Sequence, residues 1–333
     1  MVTLRQVAEA AGVNTPTASK ALRDGGDLNQ ETVRRIRETA ARLGYHPRQR
    51  RGGVVSARRT VGIICPELMG GYYARIATRL SDTLRSRGLE VLLAVSDFRP
   101  EQEETLLLSF ADYRLSGVIC ITEQDVGEAV TAFKKICDIP VVVLAANYPA
   151  ENHDIICIDE REGIRSLVRH LYDLGHRYLA FVGDRYSDNR LEYLRQALRE
   201  LDDSIPEPYV ALSDLRHAAC GYEGCAKVLS MAPRPTAIVA EYDDVALGAY
   251  RRLSEAGLSI PRDISLAGFD NADYCPYLPV GLTSVDSHGD ALCQVTVETL
   301  LRKMDDPTYR VVQRIFLRPS LVVRESTGNC FET

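Results

Sequence analysis

Between Asn14 and Leu22 the run NTPTASKAL gathers Thr15, Pro16, Thr17, Ser19 and Lys20 within six positions. These short or basic groups make no reaction centre. They suit contacts to base edges and to phosphates of a nucleic acid. Reaction chemistry is not offered elsewhere. No G-x-G-x-x-G follows the first apolar run of the body and no G-x-x-x-x-G-K-[ST] occurs, so a phosphate cradle is unsupported. The six histidines show no His-Glu-x-x-His or other ligand spacing. His170 and His176 flank LYDLG and read as a surface residue and a helix C-terminal charge. The nine cysteines include no Cys-x-x-Cys, and several sit in apolar runs, where a thiol behaves as a small core hydrophobe. The expectation is a binding protein with no metal and no cofactor, not an enzyme.

Three helical patterns position that run. Thr3 with Gln6 reads as a capping box before Leu4–Ala11, where Leu4, Val7, Ala8 and Ala11 form one apolar face. Gly12 permits a tight turn and Val13 can plug the core beneath it. Asn14 serves as N-cap of the second helix. Asn29 caps a third, with Val33, Ile36, Ala40 and Leu43 inside and Gly44 as its stop. Helix, glycine turn and second helix within about 20 residues make the helix-turn-helix pattern. The plainer alternative is a three-helix bundle with a polar face.

Charge favours the nucleic acid. The 333-residue chain has a net charge of −6, but residues 1–59 hold 12 Lys and Arg against 5 Asp and Glu, and the rest hold 28 against 41. A basic head on an acidic body suggests that only the head meets a polyanion. With 45% hydrophobic and 26% charged residues the composition is that of a soluble protein of two or three domains. No apolar stretch is long enough to span a membrane, and the N-terminus lacks the pattern of a secretory signal, so the expected location is cytoplasmic.

TLRQVAEAAGVNTPTASKAL…NQETVRRIRETAARLGYHP resembles the DNA-binding head of the LacI/GalR (lac repressor) family, whose run is T-x-x-x-V-A-x-x-A-G-V-S-x-x-T-V-S-R; here Asn14, Ala18 and Lys20 replace Ser, Val and Arg. The resemblance implies that positions 15 and 16 select bases in the major groove. Lys20 stands for a base-contacting Arg and lacks its planar fork. Pro16 has no backbone donor, so the operator differs from that of the best-known member. Thr3, Asn14, Thr17, Ser19 and Asn29 complete the implied contact set. RQRRGGVVSARRT then stands where the family has a hinge helix that folds in the minor groove. Arg48 replaces its Asn, Arg51 its Ala, and Val54 takes the leucine position. Gly52 and Gly53 each cost a helix about 1 kcal/mol relative to Ala. A hinge that leans on phosphate contacts from Arg48, Arg50 and Arg51 is the expectation; a flexible basic tether is the alternative.

From Thr60 short apolar runs alternate with amphipathic helices, which indicates βαβ units and parallel sheets. One half reads VGIIC (61–65), EVLLAVS (90–96), GVICIT (117–122) and IPVVVLAA (139–146). The other reads RYLAFVG (177–183), YVALS (209–213), TAIVAEY (236–242) and ISLAGFD (264–270). Two such lobes leave a cleft at the carboxyl ends of their strands.

The same family resemblance continues through DEREG (159–163), His170-Leu171, LGH (174–176), RLEYLRQAL (190–198), AEYDDVALGA (240–249) and LAGFDN (266–271). It implies a periplasmic-binding-protein-like sensor for sugars or nucleobases. Carried over, Arg190 donates to the ligand and Asp270 accepts from its hydroxyls, a combination that suits a polyol or sugar; an interlobe salt bridge or a helix cap is the alternative for these two. Asp243 reads as structural, at a helix start. Ala145 stands where sugar binders place Asp and Tyr242 where they place Asn, and GGYYARI (70–76) offers Tyr72 and Tyr73 as stacking walls. These departures point to a less hydroxylated ligand than a plain hexose.

The expected architecture is an all-α helix-turn-helix head (1–47), a hinge (48–59), and a two-lobed sensor and dimerisation domain (60–333) of two doubly wound parallel sheets. The expected function is sequence-specific transcription regulation, as a repressor whose operator affinity follows a small-molecule effector, a sugar or sugar derivative. The partners are a near-palindromic double-stranded DNA operator and a second copy of the chain. No heptad-patterned tail follows RPSLVVRESTGNCFET, so a dimer is expected over a tetramer. A free solute-binding protein would lack the TASKAL helix, and an α/β enzyme would need a nucleophile and base or a cofactor loop.

Overall fold

The computed structural model describes residues 4–23, 29–43, 59–123, 125–145, 152–186 and 189–330. The chain divides into two compact units, Met1–Ala57 and Arg58–Thr333.

In the first unit α1 (Leu4–Ala10), α2 (Thr15–Arg23) and α3 (Gln30–Arg42) close on a small core of Val7, Ala8, Ala11, Ala18, Ala21, Ile36 and Ala40. Their spacing on each helix puts these residues on one face. Gly12 takes φ +66°, the left-handed conformation that the turn between α1 and α2 needs. Both asparagine caps form. Asn14 Oδ1 accepts from Thr17 N at 2.8 Å, and Asn29 Oδ1 from Glu31 N at 2.9 Å. The capping-box reading of Thr3 and the helix stop at Gly44 lie outside the described residues.

The second unit holds two sheets. The eight apolar runs of the body form β1 (Thr60–Cys65), β2 (Glu90–Val95), β3 (Gly117–Thr122), β4 (Val141–Ala145), β6 (Leu179–Asp184), β7 (Val210–Ser213), β8 (Ala237–Ala240) and β9 (Ser265–Phe269). Four more strands are not among those runs: β5 (Asp154–Ile158), itself an apolar run, and β10 (Thr283–Asp286), β11 (Arg314–Leu317) and β12 (Ser320–Val322), which are not. The first sheet runs β11-β5-β4-β3-β1-β2, the second β12-β10-β9-β8-β6-β7, and among the described residues only β12 pairs antiparallel to its neighbour. Helices α4 (Gly71–Ser86), α5 (Pro100–Ser109), α6 (Gly127–Ile136) and α11 (Gly289–Asp305) cover the first sheet; α7 (Glu160–Asp173), α8 (Asn189–Arg199), α9 (His217–Leu229) and α10 (Asp243–Glu255) cover the second.

The lobes are not two successive halves of the chain. The backbone passes from one sheet to the other after β5, after β10 and after β11, so α11 packs its Leu292, Val297 and Leu300 on the first lobe although it follows the second lobe's β10. The chain thus crosses between the lobes three times rather than once.

His176 departs from its reading as a helix-terminal charge. It is buried, its ring nitrogens 3.0 Å from Thr236 Oγ1 and 3.0 Å from Gly328 O, and burial holds its pKa below the ordinary value. His170, read as a surface residue, is half-buried with Nε2 2.9 Å from Thr327 Oγ1. Seven of the nine cysteines are buried, and burial pushes thiols such as Cys65 and Cys293 up to about 12. Among the described residues no helix is long and apolar enough to cross a membrane, and no cluster of metal-ligating side chains occurs.

Candidate functional site

In the head, burial of Ala18 and Ala21 fixes which side of α2 faces inward. Thr15 and Lys20 are exposed, and Thr17 is half-buried. Pro16 and Ser19 stand in the same helix. Thr3, Arg50, Arg51 and Val54 lie outside the described residues.

In the second unit the carboxyl ends of the strands converge on a cavity between the lobes. All five of the sensor residues singled out from the sequence line it: Tyr72, Tyr73, Arg190, Tyr242 and Asp270. Each is placed by its element. Tyr72 and Tyr73 open α4 just after β1, Arg190 opens α8 after β6, and Tyr242 and Asp270 follow β8 and β9. This is where open α/β sheets leave room for ligands, because the strand order reverses there. Ala145 borders an inner extension of the same space with Ser287 and Leu292.

Arg190 is the hub. Its Nε and one terminal nitrogen lie 2.7 and 2.6 Å from a single oxygen of Glu160, another nitrogen donates to Glu241 O at 2.8 Å, and Asp270 Oδ1 is 3.3 Å away. The guanidinium also stacks 3.9 Å above the Phe269 ring. All of these partners belong to the second lobe, so Arg190 is not an interlobe bridge. Asp270 is 5% exposed with φ +95°, a left-handed strain that few non-glycine residues adopt. The strained turn is held from the other lobe, since Arg75 donates to Asp270 O at 2.8 Å and to Asn271 O at 3.1 Å. Asp243, as expected, is structural: it accepts from Ala272 N at 2.6 Å and Ser284 Oγ at 2.7 Å.

The sequence reading missed the carboxylates. Glu67, Glu123, Glu160, Asp184, Glu241 and Asp244 also line the cavity. Tyr73 OH donates to Glu123, and Tyr242 OH to Asp184 at 2.6 Å. Burial first, then the charge of Glu160, pushes Glu123 up to about 7. The only sequence signal for Glu160 was its place inside DEREG, at a position where the motif does not specify a residue. The lobes meet at the rim. Arg216 donates to Glu67 Oε1 at 3.0 Å and lies over the Phe98 ring at 4.1 Å, and Gly71 N donates to Asp244 at 3.1 Å. His217 stands between the Asp244 and Glu67 carboxylates, which push its imidazole up to about 9. At 3.5 Å its Nδ1 is paired with Asp244 by charge rather than by an aligned hydrogen bond.

Comparison with known proteins matches these two parts to two family models. Residues 3–48 match the model of bacterial regulatory proteins of the lacI family, and residues 168–327 a periplasmic binding protein-like domain; together they span more than half of the chain. The HTH-type transcriptional repressor PurR of Klebsiella pneumoniae is 26% identical over 99% of this chain and 98% of its own length. Among solved structures, the lac repressor dimer bound to operator and the anti-inducer ONPF superposes with a TM-score of 0.73 at 25% identity, covering 98% of this chain and 99% of that one. A LacI family regulator from Enterococcus faecium with bound ribose gives 0.73 at 26% identity, over 82% of this chain and 100% of that one. A three-helix reader matched along its whole length, joined to a two-lobed cleft matched by ligand-holding relatives, places this chain in the LacI family of bacterial regulatory proteins as a sequence-specific DNA-binding transcriptional regulator.

Proposed function

We propose that the interlobe cavity is the effector site, with Arg190 and Asp270 as its polar contacts and Tyr72, Tyr73 and Tyr242 as its walls, and that the effector is a sugar-sized polyol derivative. One observation carries this reading: aromatic rings from the first lobe and a guanidinium–carboxylate pair from the second line one cavity. Aromatic faces cover the C–H face of a polyol, while the guanidinium fork donates to its hydroxyls and the carboxylate accepts from them. The relative that holds ribose supports the same class.

The head (1–47) reads a near-palindromic operator through Thr15, Pro16, Thr17, Ser19 and Lys20, with Arg50, Arg51 and Val54 of the hinge (48–59) in the adjoining minor groove. The sensor (60–333) pairs two copies, as in the lac repressor dimer on its operator. The protein works in the cytoplasm as a repressor. Effector control follows from differential affinity: a ligand that favours one lobe arrangement shifts the population competent for DNA.

The test is a mobility shift on the DNA upstream of the chain's own gene, with and without the compounds that raise its melting temperature in a screen of sugars and sugar derivatives. Salt-dependent binding that those compounds alter is expected. No binding at low salt ends the operator reading. Compounds that bind equally well to Arg190→Ala remove Arg190 from the site.

A further inference from the structure

The charge of the cavity narrows the effector further, and this inference rests on the effector-site reading above. Seven carboxylates line the space against two arginines and one histidine. The rim is balanced, because Glu67 and Asp244 face Arg216 and His217. Asp184 accepts from Tyr242 OH and Tyr186 N at 2.6 and 3.0 Å, and burial together with Asp184 drives its neighbour Glu241 toward the neutral form.

The inner end is not balanced. Glu123, Glu160 and Asp270 gather around Arg190, and Arg75 from the first lobe acts on Asp270 alone, so three carboxylates face two guanidiniums. Arg190 turns both of its Glu160 contacts onto Oε1 and leaves Glu160 Oε2 buried with no hydrogen-bond partner among the described residues, on a side chain only 4% exposed. Ser287 Oγ, on a residue 1% exposed, also has none and lines the inner extension together with Glu123 and Glu160. An unpartnered carboxylate oxygen on a residue that lines a cavity calls for a donor, and a cluster with surplus negative charge calls for a cationic one.

We propose that the effector carries a protonated nitrogen, seated between Glu160 Oε2 and Glu123 at the inner end of the cleft: an amine-bearing polyol. A neutral hydroxyl could satisfy Oε2 but would leave the surplus charge in a low-dielectric site. The groups facing Glu123 are Tyr73 from α4, Glu160 from α7, Arg190 from α8 and Asp270 after β9. Without an ammonium, a proton on Glu123 relieves this surplus. An ammonium replaces that proton, so binding strengthens as pH rises through about 7 and levels off above it.

Titration calorimetry on the full chain tests this with two matched pairs: 1-amino-1-deoxysorbitol against sorbitol, and 6-amino-6-deoxyglucose against glucose. Both amines are primary alkylammoniums that, like lysine, stay charged between pH 6 and 8. The expected result is that at least one amine binds about tenfold or more tighter than its neutral twin, and about tenfold tighter at pH 8 than at pH 6. Glu123→Gln removes both preferences, and Arg190→Ala removes binding. Because Glu123→Gln deletes a carboxylate that burial disfavours, it also raises the melting temperature at pH 8 and raises it much less at pH 5. A neutral twin that binds as well as its amine, a pH-independent amine affinity, binding by neither member of both pairs, or no gain in melting temperature at pH 8 overturns the proposal. Neutral sugars that bind equally and are lost with Arg190→Ala would leave the effector site standing and remove only the charge. Binding that survives Arg190→Ala would remove both.

Discussion

The imidazole of His217, at the start of α9 in the second lobe, reaches Glu67, which follows β1 of the first, with Nε2 3.4 Å from Oε2. The contact is charged as long as the imidazole is protonated, and the Asp244 and Glu67 carboxylates keep it so up to about pH 9. The folded-state pKa is raised above the ordinary 6.5, so the stabilisation is complete below about 6.5 and is lost as pH rises through about 9. The melting temperature should therefore fall between pH 7 and 9.5, and His217→Ala should flatten that fall. Parallel curves for the two proteins would show that the rim contact does not hold the lobes.

Arg190 balances the buried Glu160 and Asp270 carboxylates. Arg190→Ala leaves Glu160 without its counter-charge and Asp270 with Arg75 alone, and breaking a buried pair in this way costs about 3–5 kcal/mol. Arg190→Lys should recover part of the stability and little of the effector affinity, because an ammonium cannot span two acceptors as a planar fork does. Urea unfolding measures the first effect and calorimetry the second. A loss below about 1 kcal/mol for Arg190→Ala would contradict the pairing.

Asn14→Ala removes the acceptor for Thr17 N at the start of α2. The expected cost is about 1 kcal/mol, confined to the head. Hydrogen exchange on the full chain should show faster exchange in the first turn of α2 and no change in the sensor, with Asn14→Asp restoring protection. Protection unchanged in Asn14→Ala would mean that the cap does not hold α2.

Helices α9 and α10 cross at two glycines. A Cβ on Gly221 would sit 1.8 Å from Val245 O, and one on Gly248 1.9 Å from Ala218 O, both backbone atoms that cannot swing away. Gly248→Ala must therefore spread the pair, at a cost of about 1–3 kcal/mol. Because α9 begins at His217 and Asp244 opens α10, effector affinity should fall with stability. A variant with native melting temperature and native affinity would show that the crossing is looser.

Periodicity and capping chemistry made the head readable from sequence alone. An apolar residue every third or fourth position fixes a helix face, Asn14 and Asn29 mark where helices start, and Gly12 marks the turn, all within a few residues of chain. The inner apolar strands were legible for the same reason, since a doubly buried parallel strand must be continuously apolar; β2 and β7 lie at the sheet edges and are only partly covered. Tyr72, Tyr73, Arg190, Tyr242 and Asp270 came from motif resemblance, and they do line one cavity. Strands β10, β11 and β12 carry mixed polarity, and their burial comes from partners distant in sequence; no local pattern could assign them or α11 to a lobe. The same holds for the surplus of carboxylates. Glu123 and Glu160 stand 37 positions apart, and each is an ordinary acid until the fold buries both around one arginine. Local spacing can specify an element; which charges share a low-dielectric space depends on contacts that only the closed chain creates.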